Sequence, residues 1–134
     1  MSDAKNGGIE KGIVEAIVIN EEKKILLIEN LQGDDRFYHL PEAVLRQEES
    51  LPIALERAVG ATTGMGIREV VCFVGHYDKD KVRHFFFVVR VNDPYSIEEM
   101  KSIAYAWLDT QEAVGYPIHD ELREMLDLYN KGGD

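Results

Sequence analysis

The chain predicts an α/β domain of the mixed-sheet (α+β) kind, a single domain with helices on both faces of the sheet. Three observations carry this. Short apolar runs rich in β-branched residues recur along the chain, each bounded by polar or turn-forming residues, as strands are. Two other segments space their apolar residues at helical intervals. The order is strands, helix, strands, helix, which layers helices over a sheet. A length of 134 residues with 45% apolar content suits one domain with a sizeable core.

The elements follow in order. Residues 1–11 are polar and read as a flexible arm, with the domain spanning 12–131 and residues 132–134 a frayed tail. Gly12–Asn20 (GIVEAIVIN) is a strand, Asn20–Lys24 a turn and Ile25–Glu29 a second strand, together a hairpin. Asn30–Arg36 (NLQGDDR) has loop chemistry. Phe37–Leu40 is a short strand stopped by Pro41, and Glu42–Ser50 reads as a charged loop.

Ser50 is placed to cap the next helix, Pro52 suits its first turn and Gly64 its end. Ile53, Ala54, Ala58 and Ala61 form a small-residue stripe along it. Arg68–His76 is strand-like, Tyr77–Lys81 a hairpin turn, and Val82–Val91 (VRHFFFVVRV) a central strand. Asn92–Ser102 is a loop or short helix, and Ile103–Leu108 a strand. Asp109–Ala113 looks like a capped helical turn. Pro117–Lys131 closes the chain as an amphipathic helix with Leu122, Met125, Leu126 and Tyr129 on one face.

Composition narrows the function classes. A net charge of −10 repels nucleic-acid phosphates, so no nucleic-acid partner is expected. A small phosphorylated ligand stays open, because one local Arg cluster or a divalent metal can hold it. No apolar run approaches the roughly 20 residues of a membrane span, and the opening residues lack the apolar core of a secretory signal. A cytoplasmic protein without a membrane partner is expected. Cys72, the single cysteine, lies in the run VVCFV and reads as a buried, inert thiol.

The histidines suggest no zinc site, because no pair sits at ligand spacing and there is no second cysteine. His39 and His84 fall in or beside strands, where a hydrogen-bonded structural role is the expectation, and His76 and His119 read as exposed. Gly60, Gly64 and Gly66 lack the preceding strand and following Lys of a phosphate loop. Phe37, Tyr38, Tyr77, Phe85, Phe86, Phe87, Tyr105 and Trp107 read mostly as core, with one or two left to stack a base at a cleft rim. Arg36, Arg46, Arg83 and Arg90 read as surface charges that could also hold phosphate.

Ala43–Met65 reads AVLRQEESLPIALERAVGATTGM. It resembles the Nudix box of the nucleoside-diphosphate-X hydrolases. That box runs Gly, five residues, Glu, seven residues, Arg-Glu, an apolar residue, any residue, Glu-Glu, any residue, Gly, apolar. Glu49, Arg57, Val59, Gly64 and Met65 stand on the first Glu, the Arg, the apolar position, the Gly and the last apolar position, without a gap. Ala43 stands on the leading Gly. Ala58, Ala61 and Thr62 stand on the three helix glutamates. The closing segment AWLDTQEA also resembles the family, so the likeness covers most of the chain.

The resemblance implies an α/β/α sandwich and attack by water on a diphosphate linkage, with Mg²⁺ or Mn²⁺ stabilising the charge on phosphate oxygens. Glutamates at i, i+3 and i+4 share one helix face and can converge on such a cation. Two methyls and a hydroxyl cannot replace them. No metal cofactor is therefore expected unless a site is rebuilt around Glu42 and Glu49, and no catalytic residue of the usual kind is expected. Glu42, Glu48 and Glu112 are the substitute carboxylates to weigh. Glu49 and Arg57 are expected to form the brace that holds loop to helix, with Gly64 ending the helix.

Ligand contacts are sought at Arg36, Tyr38, His39 and Arg83. The implied function is a degenerate Nudix-fold protein that binds a nucleotide-type ligand or a partner. The alternative is an active hydrolase using Glu42, Glu48, Glu49 and Glu112 with Mg²⁺ or Mn²⁺. A third is a purely structural subunit. Homodimers are common among proteins of this fold.

Overall fold

The computed structural model describes residues 10–30, 37–94 and 103–132. Strands β1 (Lys11–Ile19) and β2 (Ile25–Asn30) form the expected hairpin, closed where the Asn20 side-chain oxygen accepts the Glu22 and Lys24 amides. Next come β3 (Tyr38–His39), β4 (Glu42–Val44), helix α1 (Leu51–Thr63), β5 (Ile67–Lys79) and β6 (Val82–Val91). β7 (Ile103–Leu108), α2 (Thr110–Val114) and α3 (Asp120–Gly132) complete the chain.

The strands make one mixed sheet. Its spine runs β3-β2-β1-β6-β5, with β4 also paired to β1 and β7 to β2. Among the described residues only β1 and β6 run parallel, in unbroken register from Lys11↔Val82 to Ile19↔Arg90. Because β1 is buried on both faces, it reads as a nearly continuous apolar run.

Alternation along β1 and β6 splits the core in two. Ile17, Ile19, Phe86 and Val88 face Leu122, Met125 and Leu126 of α3. Ala16, Val18, Val89 and Val91 face Leu55 and Val59 of α1. Helices thus cover both faces, which is the α/β/α sandwich.

α1 forms as the capping residues predict. Ser50 Oγ accepts the Ile53 amide at 3.4 Å, and Gly64, at φ 77°, takes the left-handed turn that ends the helix. α2 begins with a capping box, in which Glu112 Oε1 accepts the Asp109 amide at 3.0 Å.

Several expectations are corrected. Glu42–Val44 is a strand, because Ile13, Val14 and Glu15 of β1 pair with it edge to edge. The hairpin turn shrinks to Asp80 and Lys81, and Tyr77–Lys79 joins β5. The small-residue stripe holds at Ala54 and Ala58, but Ile53 is 60% exposed and Ala61 is exposed, while Leu55 and Val59 do the packing. Cys72 is exposed. Its apolar run lies on β5, which ends the strand order of the sheet. Among the eight aromatics expected to be mostly core, Phe86 alone is fully buried. The loop at 31–36 and most of 92–102 lie outside the described residues.

Candidate functional site

The segment that resembles a catalytic box holds its shape through one brace. Arg57 on α1 donates from Nε to Glu49 Oε2 at 3.1 Å and from Nη2 to Glu49 Oε1 at 2.8 Å. The same Nη2 donates to the Val44 carbonyl at 2.6 Å. Glu49 Oε1 also accepts the Arg46 amide. Helix, loop and β4 are therefore tied at one point. The Arg57 hydrogen bond, with the Arg46 amide behind it, pulls the Glu49 carboxyl down to about 2. Both carboxylate oxygens of Glu49 are engaged in these bonds.

The helix face that would meet a cation is apolar. Ala58 is 1% exposed and packs with Val14 and Ala54, flanked by Ala43, Leu45, Leu51 and Phe85. Ala61 faces solvent and Thr62 is half-buried. Mg²⁺ and Mn²⁺ want several oxygen ligands. Positions 58, 61 and 62 offer two methyls and one hydroxyl. Among the described residues no three His, Cys, Asp or Glu side chains gather as a metal would need. The donor set here does not fit either ion.

The polar chemistry lies on the other face of the sheet, beside α3. Glu15 of β1 is 8% exposed and hydrogen-bonds His84 Nδ1 of β6 through Oε2 at 2.7 Å. Tyr77 of β5 stacks on the His84 ring, with centroids 4.5 Å apart and planes 7° apart. Glu42 of β4 stands directly opposite Glu15 in the antiparallel register. Desolvation of the Glu42 carboxyl, together with Glu15, pushes its pKa up to about 7 against the opposing pull of His84 and Lys11. Glu42 as a residue is exposed. Burial, then Glu15, Glu121 and Glu42, push the Tyr77 hydroxyl upward.

The other candidate residues scatter. Tyr38 packs edge-on to Tyr116, with its hydroxyl raised first by a hydrogen bond to Glu29. His39 sits 6.0 Å from the His119 ring, which itself stacks on Phe37. Arg83 grips Asp78 with two hydrogen bonds, at 2.8 and 3.0 Å. Glu48 is exposed on the loop at φ 62°. Glu112 is spent on the α2 cap. Arg36 lies outside the described residues. Glu42 is thus the only substitute carboxylate placed in a polar cluster. A surface hollow lined by Val114, Asp120, Arg123, Glu124 and Asp127 lies at α2 and α3, away from α1.

Glu15 was not among the sequence candidates, yet its signal was present: it is the lone charge inside GIVEAIVIN. Glu56 precedes Arg57 on α1. Its Oε1 accepts the Ile67 amide at 3.1 Å and fastens α1 to the start of β5.

No protein-family profile matches the chain, and no curated protein matches it. Solved structures match over nearly the whole length. A MutT from work on Aliivibrio salmonicida and Vibrio cholerae shares 17% identity, covering 87% of this chain and 95% of its own, with a TM-score of 0.76. A NUDIX hydrolase from Nitrosomonas europaea shares 21% identity over 91% and 89%, with a TM-score of 0.72. A C. elegans Ap4A hydrolase shares 12% over 89% and 96%, with a TM-score of 0.74. At these identities the likeness is one of fold.

Proposed function

We propose that this chain, built on the Nudix fold, has given up metal-dependent cleavage of diphosphate linkages and serves as a nucleotide-type ligand-binding or interaction module. One observation carries the reading. The helix face that would grip the cation is closed by Ala58 against Val14 and carries no carboxylate at 58, 61 or 62. The parts that only hold shape persist: the Glu49–Arg57 brace and the Gly64 helix end. Loss of chemistry with retention of scaffold is the pattern of a binding protein. The neighbours named MutT and Ap4A hydrolase support a nucleotide-type ligand for this one.

The test is a panel of dinucleoside polyphosphates, nucleotide sugars and ADP-ribose, with Mg²⁺ or Mn²⁺. The expected result is a raised melting temperature with some member of the panel, since a ligand bound only by the folded state stabilises it, and no metal-dependent turnover. Turnover at about 1 per second or faster would overturn the reading.

A second reading is an active hydrolase with substitute carboxylates, and Glu42 favours it. A carboxyl whose pKa lies near 7 can take a proton from water at neutral pH. On that reading Glu42→Gln abolishes a turnover that the unaltered protein displays.

A further inference from the structure

Four titratable side chains form a row across the sheet on the α3 side. Glu42 of β4 faces Glu15 of β1, Glu15 bonds His84 of β6, and Tyr77 of β5 stacks on His84. Backbone bonds from Ala16 N to Pro41 O at 2.9 Å and from Leu45 N to Gly12 O at 2.8 Å lie on either side of the two carboxylates. Antiparallel residues alternate between bonded and non-bonded pairs. Counting from those bonds, Glu15 and Glu42 fall on a non-bonded pair, where side chains come closest. Like charges directly opposite weaken a strand pair.

β4 is the strand that can respond. It has three residues and, among the described residues, pairs with β1 alone, whereas β1 is held along its other edge by β6. α1 packs on β4 and contributes Arg57, which is engaged by Glu49 and the Val44 carbonyl. The charged groups acting on Glu42 are Glu15 and Lys11 of β1 and His84 of β6. Beyond His84 stand Tyr77 and Glu121 of α3, the latter paired with Lys79. A protonated His84 offsets one carboxylate and a neutral one does not, so its titration and that of Glu42 act in the same direction.

We propose that β4 is a proton-controlled strap, seated on β1 while Glu42 is neutral and released from it when Glu15 and Glu42 are both ionised. Release slackens the bond from Arg57 to the Val44 carbonyl, one of those by which Arg57 ties α1 to loop and strand. Desolvation, and then Glu15, place the titration of Glu42 at about 7, so the strap works around neutral pH. The proposal does not depend on any ligand.

Amide hydrogen exchange of the full chain at about pH 6 and about pH 8 tests it, with each rate divided by its intrinsic value at that pH. A carboxyl at about 7 in the seated state and at its ordinary 4.5 in the released one makes release about tenfold easier at the higher pH. The Ala16 and Leu45 amides should therefore lose about tenfold in protection. Gly64, bonded to Gly60 at the end of α1, should keep its own. Glu42→Gln should remove the difference between the two pH values. Glu15→Gln should shrink it, because desolvation of Glu42 remains.

Equal protection at both pH values overturns the proposal, since Glu42 then turns its carboxylate to water with the strand in place. So does a loss shared by Gly64, which marks general loosening, or a loss that persists undiminished in either variant. If a variant fails to fold, the contrast between Leu45 and Gly64 in the unaltered protein still decides the question.

Discussion

Two glutamates a few residues apart show how local partners set opposite proton affinities. Glu49, bound by Arg57, is held at about 2, below its ordinary 4.5. It therefore contributes stability above pH 4.5, and that contribution fades as pH falls toward 2. Glu42, desolvated opposite Glu15, is raised to about 7. Its contribution is complete below pH 4.5 and is lost as pH rises through 7. Melting curves from about pH 2 to about pH 8 on Glu49→Gln and Glu42→Gln, which cover the span from the ordinary carboxyl value to each shifted one, should separate them. The first variant should lose its deficit at the acid end, and the second should flatten the alkaline decline. A Glu42→Gln profile that parallels the unaltered protein would show that this carboxyl titrates normally.

This contrast was half legible in the sequence. The Glu49–Arg57 pair follows from spacing within the box. The Glu42–Glu15 pair does not, because it depends on β4 forming along the edge of β1, and three residues in a charged stretch give little strand signal.

Among the elements, α1 was the most readable. Ser50, Pro52 and Gly64 marked its ends, and the observed helix agrees with them. Which of its small residues would be buried was less readable, since the stripe Ile53, Ala54, Ala58, Ala61 is rotated about the helix axis from the buried arc of Ala54, Leu55, Ala58, Val59 and Thr63. The helix can be tested residue by residue. Ala58→Glu puts a carboxylate among Val14, Ala54 and Phe85, and should cost on the order of 3 kcal/mol. Ala61→Glu lies in solvent and should change stability by no more than about 0.5 kcal/mol. Equal effects by chemical denaturation would mean that this face of α1 is open. Gly64→Ala forces a Cβ into a left-handed turn, and should cost about 1 kcal/mol by the same measurement. β5 was less legible: its apolar VVCFV suggested burial, but edge position is a property of topology that a run of letters does not carry.

At the level of the whole molecule, packing divides across the sheet. The α3 side is built from Ile17, Phe86, Leu122 and Leu126, and the α1 side from Val18, Leu55, Val59 and Val89. Leu126→Ala, at a fully buried position, should lower stability by about 3 kcal/mol in denaturant titration. A loss below about 1 kcal/mol would show that α3 is loosely docked. The layered class was legible from the order of elements, whereas strand order was not.

That order has a bearing on how the molecule is made. The strand at the centre of the sheet begins at residue 11, yet its parallel neighbour begins at residue 82. Until that neighbour emerges, β1 has one side of its backbone open and its two greasy faces half covered. The nascent chain must therefore hold β1 unpaired on that side until β6 is made, and fold by long-range closure rather than piece by piece.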